Sequence, residues 1–295
     1  MQRTFSVWIL LILLFSACGQ NASDSGTPAP VILTSTTFLA DIAHNIAGGR
    51  VEVESLLPIG IDPHSYQPTP QDAVKIERSQ LLIINGADYE HFLEPLLENA
   101  GGERTIIEAS AGIGPKEEAG SIDPHLWLDP DNVVLYVENI REGLAHFDPE
   151  GAAVYQSNAD AYAVELNNLD VWIVEQVNQI PVERRLLVTN HEALGYFAER
   201  YGFAVVGTVI ESFSTDASPS AQQMADLIDQ IRSSGAPAIF LDAGDNTSLA
   251  EQIANETGIR VVTDLHLESL TDGAPAPTYI EMMKHNVLQI TNALK

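Results

Sequence analysis

One long segment near the middle of the chain, from Pro149 to about Gln179, carries the apolar spacing of an α-helix and contains no Pro or Gly after Gly151. About 28 helical residues at 1.5 Å each extend roughly 40 Å, enough to run the length of a domain or to join two. The apolar positions recur at helical intervals at Tyr155, Tyr162, Leu166, Leu169, Ile173 and Val177. The rest of the chain must therefore be arranged around one long helix, or around two helices with a kink between them.

Short apolar runs alternate with longer periodic segments on both sides of this helix, which is typical of an α/β protein. We predict strands at residues 31–36, 51–57, 81–85, 104–108, 186–189, 203–206, 238–241 and 260–262. We predict the other helices at residues 38–47, 70–78, 130–146, 192–201, 219–233, 247–256 and 278–294. The predicted fold class is α/β, with two α/β lobes that contain central sheets and are joined by the long helix. The predicted boundaries are 31–148 for the N-terminal lobe, 149–180 for the connecting helix and 181–295 for the C-terminal lobe.

The N-terminus has a basic start, an apolar stretch from Phe5 to Phe15 and a junction of small residues. This pattern is typical of a secretory signal rather than of a membrane span. Phe15-Ser16-Ala17-Cys18 resembles the bacterial lipobox, which usually has Leu at the position of Phe15 and whose cysteine becomes the lipidated first residue. We therefore predict a lipoprotein signal peptide at 1–17, lipidation of Cys18, a flexible tether at 18–30, and an extracytoplasmic protein anchored to the cell membrane.

The balance of charged residues excludes some classes of partner. The chain has 14 Lys and Arg against 41 Asp and Glu, a formal net charge of −27. Phosphate backbones would repel such a chain, so we exclude nucleic acid as a partner. Its single cysteine excludes an internal disulfide framework and any cysteine-rich zinc or iron–sulfur site. The negative charge suits the attraction of cations but does not identify a ligand.

Three of the eight histidines lie in contexts that favour metal binding. The tetrapeptide Ile-Asp-Pro-His occurs twice, ending at His64 and at His125, and each proline holds the following imidazole on a stiff connection. The alternative to a metal-binding role is that the two tetrapeptides are ordinary Asx-Pro turns. His191 follows the predicted strand 186–189, at the strand end where open α/β sheets collect ligands. Three neutral imidazoles with one carboxylate suit Zn²⁺ and are acceptable to Mn²⁺.

A site between the two lobes needs its carboxylate from the C-terminal part of the chain. Glu268 is the first candidate, Asp242 at the end of a predicted strand is the second, and His266 could replace either. Chemistry alone leaves all three open. Asp62 and Asp123 are candidates to accept the second N–H of the imidazoles near them, because ligating histidines usually donate that proton to a carboxylate or a carbonyl.

Together these motifs resemble the metal-binding lipoproteins of bacterial ABC transporters for zinc and manganese, the cluster A-I solute-binding proteins. The resemblance covers Val31 to Leu294 and rests on Asp62–Tyr66, Asp123–Pro130, His191 with Tyr196-Phe197, and Glu268–Leu270 followed by Tyr279–Met283 and Asn286. It implies that His64, His125, His191 and Glu268 are the metal ligands, although the family usually has Asp at the position of Glu268. It also implies a protein that is not an enzyme, captures an extracytoplasmic metal ion with high affinity and delivers it to a membrane permease for uptake.

The resemblance also bears on which metal is bound. Manganese members often carry Glu at the position of His191, so the imidazole favours zinc, with one ion per chain as the transported ligand and manganese as the alternative. Many zinc members carry a His-rich acidic insertion before the second His motif. The corresponding residues of this chain, 112–121, contain no His.

We expect a monomer. A surface adhesin on the same fold is an alternative function. A zinc hydrolase is disfavoured because the chain lacks His-Glu-x-x-His and Gly-x-Ser-x-Gly.

Overall fold

The computed structural model of the protein describes residues 31–101, 103–118 and 120–295. Its strands are β1 (Val31–Thr34), β2 (Glu52–Ser55), β3 (Leu81–Ile84), β4 (Thr105–Glu108), β5 (Glu117–Glu118), β6 (Ser121–Ile122), β7 (Leu186–Thr189), β8 (Ala204–Thr208), β9 (Ala238–Asp242) and β10 (Arg260–Leu265). Its helices are α1 (Thr37–Ala47), α2 (Pro70–Arg78), α3 (Leu93–Asn99), α4 (Pro130–Phe147), α5 (Ala152–Val177), α6 (Gly195–Tyr201), α7 (Ala221–Ser234), α8 (Ser248–Thr257) and α9 (Tyr279–Leu294). The predicted signal peptide, the tether and Cys18 lie outside the described residues.

Two parallel sheets of four strands form the centres of two lobes, which confirms the predicted fold class. The first sheet has the order β2-β1-β3-β4, and the second has the order β10-β9-β7-β8. Parallel sheets are covered on both faces, so their central strands are apolar throughout, as in the buried run Leu81–Ile83 of β3. Because all strands of a sheet point the same way, the loops that follow them gather at one edge.

The long helix α5 is uninterrupted over 26 residues, so the alternative of two kinked helices is wrong. All six apolar side chains that define its predicted periodicity are buried. The helix packs against α1 and α4 of the first lobe and against α9 of the second. It therefore joins the lobes as a shared element of their core. Among the described residues, no helix is long and apolar enough to cross a membrane.

The lobes are also joined through Trp127, which is fully buried in a hydrophobic core that draws residues from both. Its indole ring stacks on Phe38 with 4.5 Å between ring centroids, and its Nε1–H donates to the carbonyl of Leu267 at 2.7 Å. The hydroxyl of Tyr279, from α9, donates to the carbonyl of Trp127 at 2.7 Å. The segment after β6 is thereby bound directly to the C-terminal lobe.

The structure differs from the sequence prediction after β7. Helix α6 begins at Gly195, whereas the prediction began it at residue 192. Residues 192–194 form a turn, within which the amide of Ala193 donates to the carbonyl of His191 at 2.9 Å. In a helix beginning at 192 the carbonyl of His191 would accept the amide of Gly195, but here it accepts the amide of Ala193 and, at 2.7 Å, the hydroxyl of Thr189. The helix α3 and the hairpin β5–β6 were not predicted, since both are too short to show a clear period.

Candidate metal centre

Three imidazoles and one carboxylate meet between the two lobes. Oε1 of Glu268 lies 3.0 Å from Nε2 of His64, 3.3 Å from Nε2 of His125 and 3.1 Å from Nε2 of His191. The nearest nitrogens of His125 and His191 are 3.3 Å apart. Ligands about 2.0–2.1 Å from a tetrahedral ion stand roughly 3.4 Å from one another. The donor atoms are therefore spaced as a small divalent ion requires.

Each of these side chains comes from a loop, and each lobe contributes two of them. His64 lies between β2 and α2, and His125 lies between β6 and α4. His191 follows β7, and Glu268 follows β10, so both lie at the carboxyl edge of the second sheet. The four side chains are between 0 and 3% exposed. Such a site is enclosed and is assembled only when the two lobes pack together.

The two repeated tetrapeptides use their aspartates differently. Oδ1 of Asp123 lies 2.9 Å from Nδ1 of His125 and also accepts the amide of that residue, which orients the ring so that Nε2 faces the site. In the first copy, Asp62 accepts the amide of His64 at 2.9 Å and the hydroxyl of Thr215 at 2.6 Å. The expectation of a carboxylate partner holds for the ring of His125, whereas Asp62 shapes the loop and bonds it to the opposite lobe.

The electrostatics of the centre favour a cation. Burial would raise the pKa of Glu268, but the three surrounding imidazoles hold it well below its usual range. Burial would lower the pKa of His125, but its hydrogen bonds to Asp123 and Glu268 raise that pKa to about 9. Near neutral pH the metal-free centre thus holds an ionised carboxylate beside a protonated imidazole. A metal ion that binds there replaces this proton.

The structure separates the three candidates for the fourth ligand. Of the three, only Glu268 lies in one group with the histidines of the centre. Asp242 is directed at the backbone, where its Oδ1 accepts the amides of Ala243 at 2.9 Å and Leu267 at 3.0 Å. It thereby holds the strand end that carries Glu268. His266 lies in a different group, with Asp264 and His285.

Sequence reasoning missed Tyr89, which forms one wall of the centre. Its ring stands edge-on to His64, with 5.4 Å between ring centroids, and the residue is 1% exposed. The neighbouring Glu90 is partly buried and accepts hydrogen bonds from the hydroxyl of Ser35 at 2.7 Å and the amide of Asn85 at 2.6 Å. Burial raises the pKa of Glu90 to about 7. A signal was present in the sequence, because these residues follow β3 at the ligand-collecting edge of its sheet.

A cavity of about 590 Å³ lies beside the centre, between the lobes. His191 and Glu268 form part of its lining, together with Asp62, Asp242 and Asp245. Carboxylates around such a cleft raise the local concentration of cations. The arrangement can therefore attract a divalent ion and enclose it with three nitrogen ligands and one oxygen ligand.

Comparisons with known proteins find relatives that are named for metal binding or metal uptake. The family model described as the periplasmic component A of a zinc-uptake complex matches residues 32–293. The chain is 35% identical over 294 residues to the manganese-binding lipoprotein MntA of Halalkalibacterium halodurans, covering 97% of each chain. It is 35% identical over 283 residues to the iron-binding protein YfeA of Yersinia pestis, covering 94% of this chain and 90% of that protein. The solved periplasmic zinc-binding protein TroA of Treponema pallidum superposes with a TM-score of 0.84 at 28% identity, covering 90% of this chain and 99% of TroA.

Proposed function

The chain belongs to the family of periplasmic metal-binding components of ABC transporters, and from this premise we propose that it binds one Zn²⁺ through His64, His125, His191 and Glu268 and delivers it to a membrane permease. Proteins of this family bind and hand over a solute and are not enzymes. The observation that carries the proposal is the convergence of four buried donor atoms, all within 4.8 Å of one another.

The donor set supports zinc as the transported ion. Zn²⁺ is bound by imidazole and carboxylate in four-coordinate sites, whereas Mn²⁺ prefers more oxygen ligands. The relatives are named for manganese, iron and zinc, so membership of the family leaves the metal open. Our choice of zinc rests on the three imidazoles, and on His191 in particular. A site closed by four protein ligands also lacks the open position that a catalytic zinc needs.

We expect Zn²⁺ to raise the melting temperature of a metal-free, soluble form of the chain that begins after Cys18. A ligand at 100 times its Kd stabilises the folded state by about 2.7 kcal/mol. The melting temperature is measured with Zn²⁺, Mn²⁺ and Ca²⁺ in the wild type, in His64→Ala and in the control His146→Ala, which changes an exposed histidine. The zinc-induced shift should disappear in His64→Ala and remain in the control. It should also be smaller at pH 5 than at pH 7.5, because protons compete for the imidazoles.

The outcomes of this experiment separate the alternatives. A manganese shift as large as the zinc shift would contradict the choice of zinc and leave the metal-binding function standing. No shift with either Zn²⁺ or Mn²⁺ would contradict the function itself. A zinc shift that survives in His64→Ala would show that the ion binds elsewhere.

We further propose that Cys18 carries a lipid anchor that holds the protein at the outer face of the cell membrane. Relatives named as lipoproteins and the lipobox-like Phe15–Cys18 support this proposal. In a bacterial host, Cys18→Ser should move the full chain from the membrane fraction to the soluble extracytoplasmic fraction, whereas Ser25→Ala in the tether should not. An unchanged distribution of Cys18→Ser would contradict the proposed lipid anchor.

Since one chain supplies all four proposed ligands, we also propose that the protein is a monomer, and its mass in solution would test this.

A further inference from the structure

A second group of metal-ligating side chains lies outside the centre, where β10 meets α9. We call Asp264, His266 and His285 the outer cluster. Oδ1 of Asp264 is 3.8 Å from Nε2 of His266, and its Oδ2 is 3.3 Å from Nε2 of His285. One donor atom from each residue lies within 4.8 Å of the other two. These separations are close to those of ligands around a single zinc ion, roughly 3.4 Å.

The backbone around the outer cluster is held in place by the helix beside it. The side chain of Asn286, from α9, accepts the amide of His266 at 2.7 Å and donates to the carbonyl of the same residue at 2.6 Å. Asn286 is 3% exposed. Gln289, one turn further along the helix, donates to Oδ2 of Asp264 at 3.2 Å. The fold therefore sets the spacing of the cluster before any ligand arrives.

The nitrogen Nε2 of His266 is buried and has no hydrogen-bond partner among the described residues. A buried polar atom left unpaired costs about 1–3 kcal/mol, so it calls for an explanation. Nε2 of His285 lies 2.6 Å from the main-chain carbonyl of Asp264. The two imidazoles are 12% and 14% exposed, while the carboxylate is 58% exposed. The cluster thus has two sheltered nitrogens, one of them unpaired, and an open side.

We propose that the outer cluster is a second, weaker metal site, which binds Zn²⁺ through the imidazoles of His266 and His285 and the carboxylate of Asp264. Two imidazoles and a carboxylate are ligands that zinc accepts, with water in the fourth position. The ion would satisfy the unpaired nitrogen of His266 and replace the contact between His285 and the carbonyl. Binding should be weaker than at the centre, because the cluster supplies three ligands instead of four and is open to solvent.

Zinc content at equilibrium tests this proposal. The metal-free soluble chain is dialysed against increasing free Zn²⁺, and the bound zinc per chain is measured. We expect the wild type to bind a second equivalent at higher free zinc and His285→Ala to lose that equivalent while keeping the first. His64→Ala should lose the tight equivalent and keep the weak one, so failure of the outer cluster is distinguishable from failure of the centre. The control His146→Ala should behave as the wild type.

A second variant provides an independent test in case His285→Ala fails to fold. Asp264→Asn changes a largely exposed side chain by one atom and should likewise abolish the weak equivalent. Saturation of the wild type at one equivalent would overturn the proposal. So would a second equivalent that persists in both His285→Ala and Asp264→Asn, because that zinc would be bound at another surface position.

Discussion

Glu268→Gln is expected to lower the affinity for Zn²⁺ by more than about 100-fold. Mutation of a residue that only hydrogen-bonds to a metal ligand already lowers metal affinity by about 10–100-fold, and Glu268 is itself a proposed ligand. Oε1 of Glu268 lies within 3.3 Å of a nitrogen from each of the three histidines. The side chain is 3% exposed, so its negative charge compensates the ion where water cannot. An amide of the same shape removes that charge. Competition with a chelator of known zinc affinity measures the loss.

Two matched variants complete this experiment. Glu268→Asp keeps the charge, and Asp is the residue that the family usually has at this position. The zinc affinity of this variant should therefore fall by no more than about tenfold, the lower end of the loss on mutation of a residue that hydrogen-bonds to a metal ligand. Asp242→Asn should also bind zinc well, because an amide oxygen can still accept the two backbone amides that Asp242 holds. Near-normal affinity in Glu268→Gln, together with a large loss in Asp242→Asn, would show that Asp242 is the ligand.

Trp127→Ala is expected to reduce the free energy of unfolding by about 3–5 kcal/mol, the range for truncation of a buried aromatic side chain. The indole is fully buried, stacks on Phe38 and lies 4.8 Å from the ring of Tyr89, centroid to centroid. Its loss opens a cavity in the core that the lobes share and leaves the carbonyl of Leu267 without its donor. Chemical denaturation of the metal-free protein measures the change without a contribution from metal binding.

Controls separate packing from hydrogen bonding at this position. Trp127→Phe keeps a ring against Phe38 but loses the N–H donor, so we expect a smaller loss of about 1–3 kcal/mol. Trp172→Ala removes the same type of side chain from a partly buried position on α5 and should cost less than Trp127→Ala. A greater loss in Trp172→Ala would contradict the view that the fully buried Trp127 contributes more to stability than a partly buried tryptophan.

The predictable parts of the fold are those governed by local pattern. The spacing of six apolar residues was sufficient for α5, because a helix buries the same face every few residues whatever it packs against. The start of α2 at residue 70, as predicted, is also local: Thr69 and Asp72 form a capping box and Pro70 occupies the first helical position, and both features act within one turn. The start of α6 could not be predicted in this way, because a turn at residues 192–194 precedes it and the amide of Glu192 in that turn is bonded to the distant Ser212.

The candidate centre likewise combines features that local sequence determines with features that only tertiary packing determines. The sequence by itself determined the α/β class, the long helix and three histidines at loop positions, because apolar periodicity and Asp-Pro-His turns act over a few neighbouring residues. Only the tertiary structure decided which carboxylate meets those histidines, since Glu268 reaches His64 across 204 positions of the chain. It also decided that Asp242 binds backbone and that Trp127 joins the lobes. Such pairings depend on how the sheets and α5 pack together, and no local pattern encodes that packing.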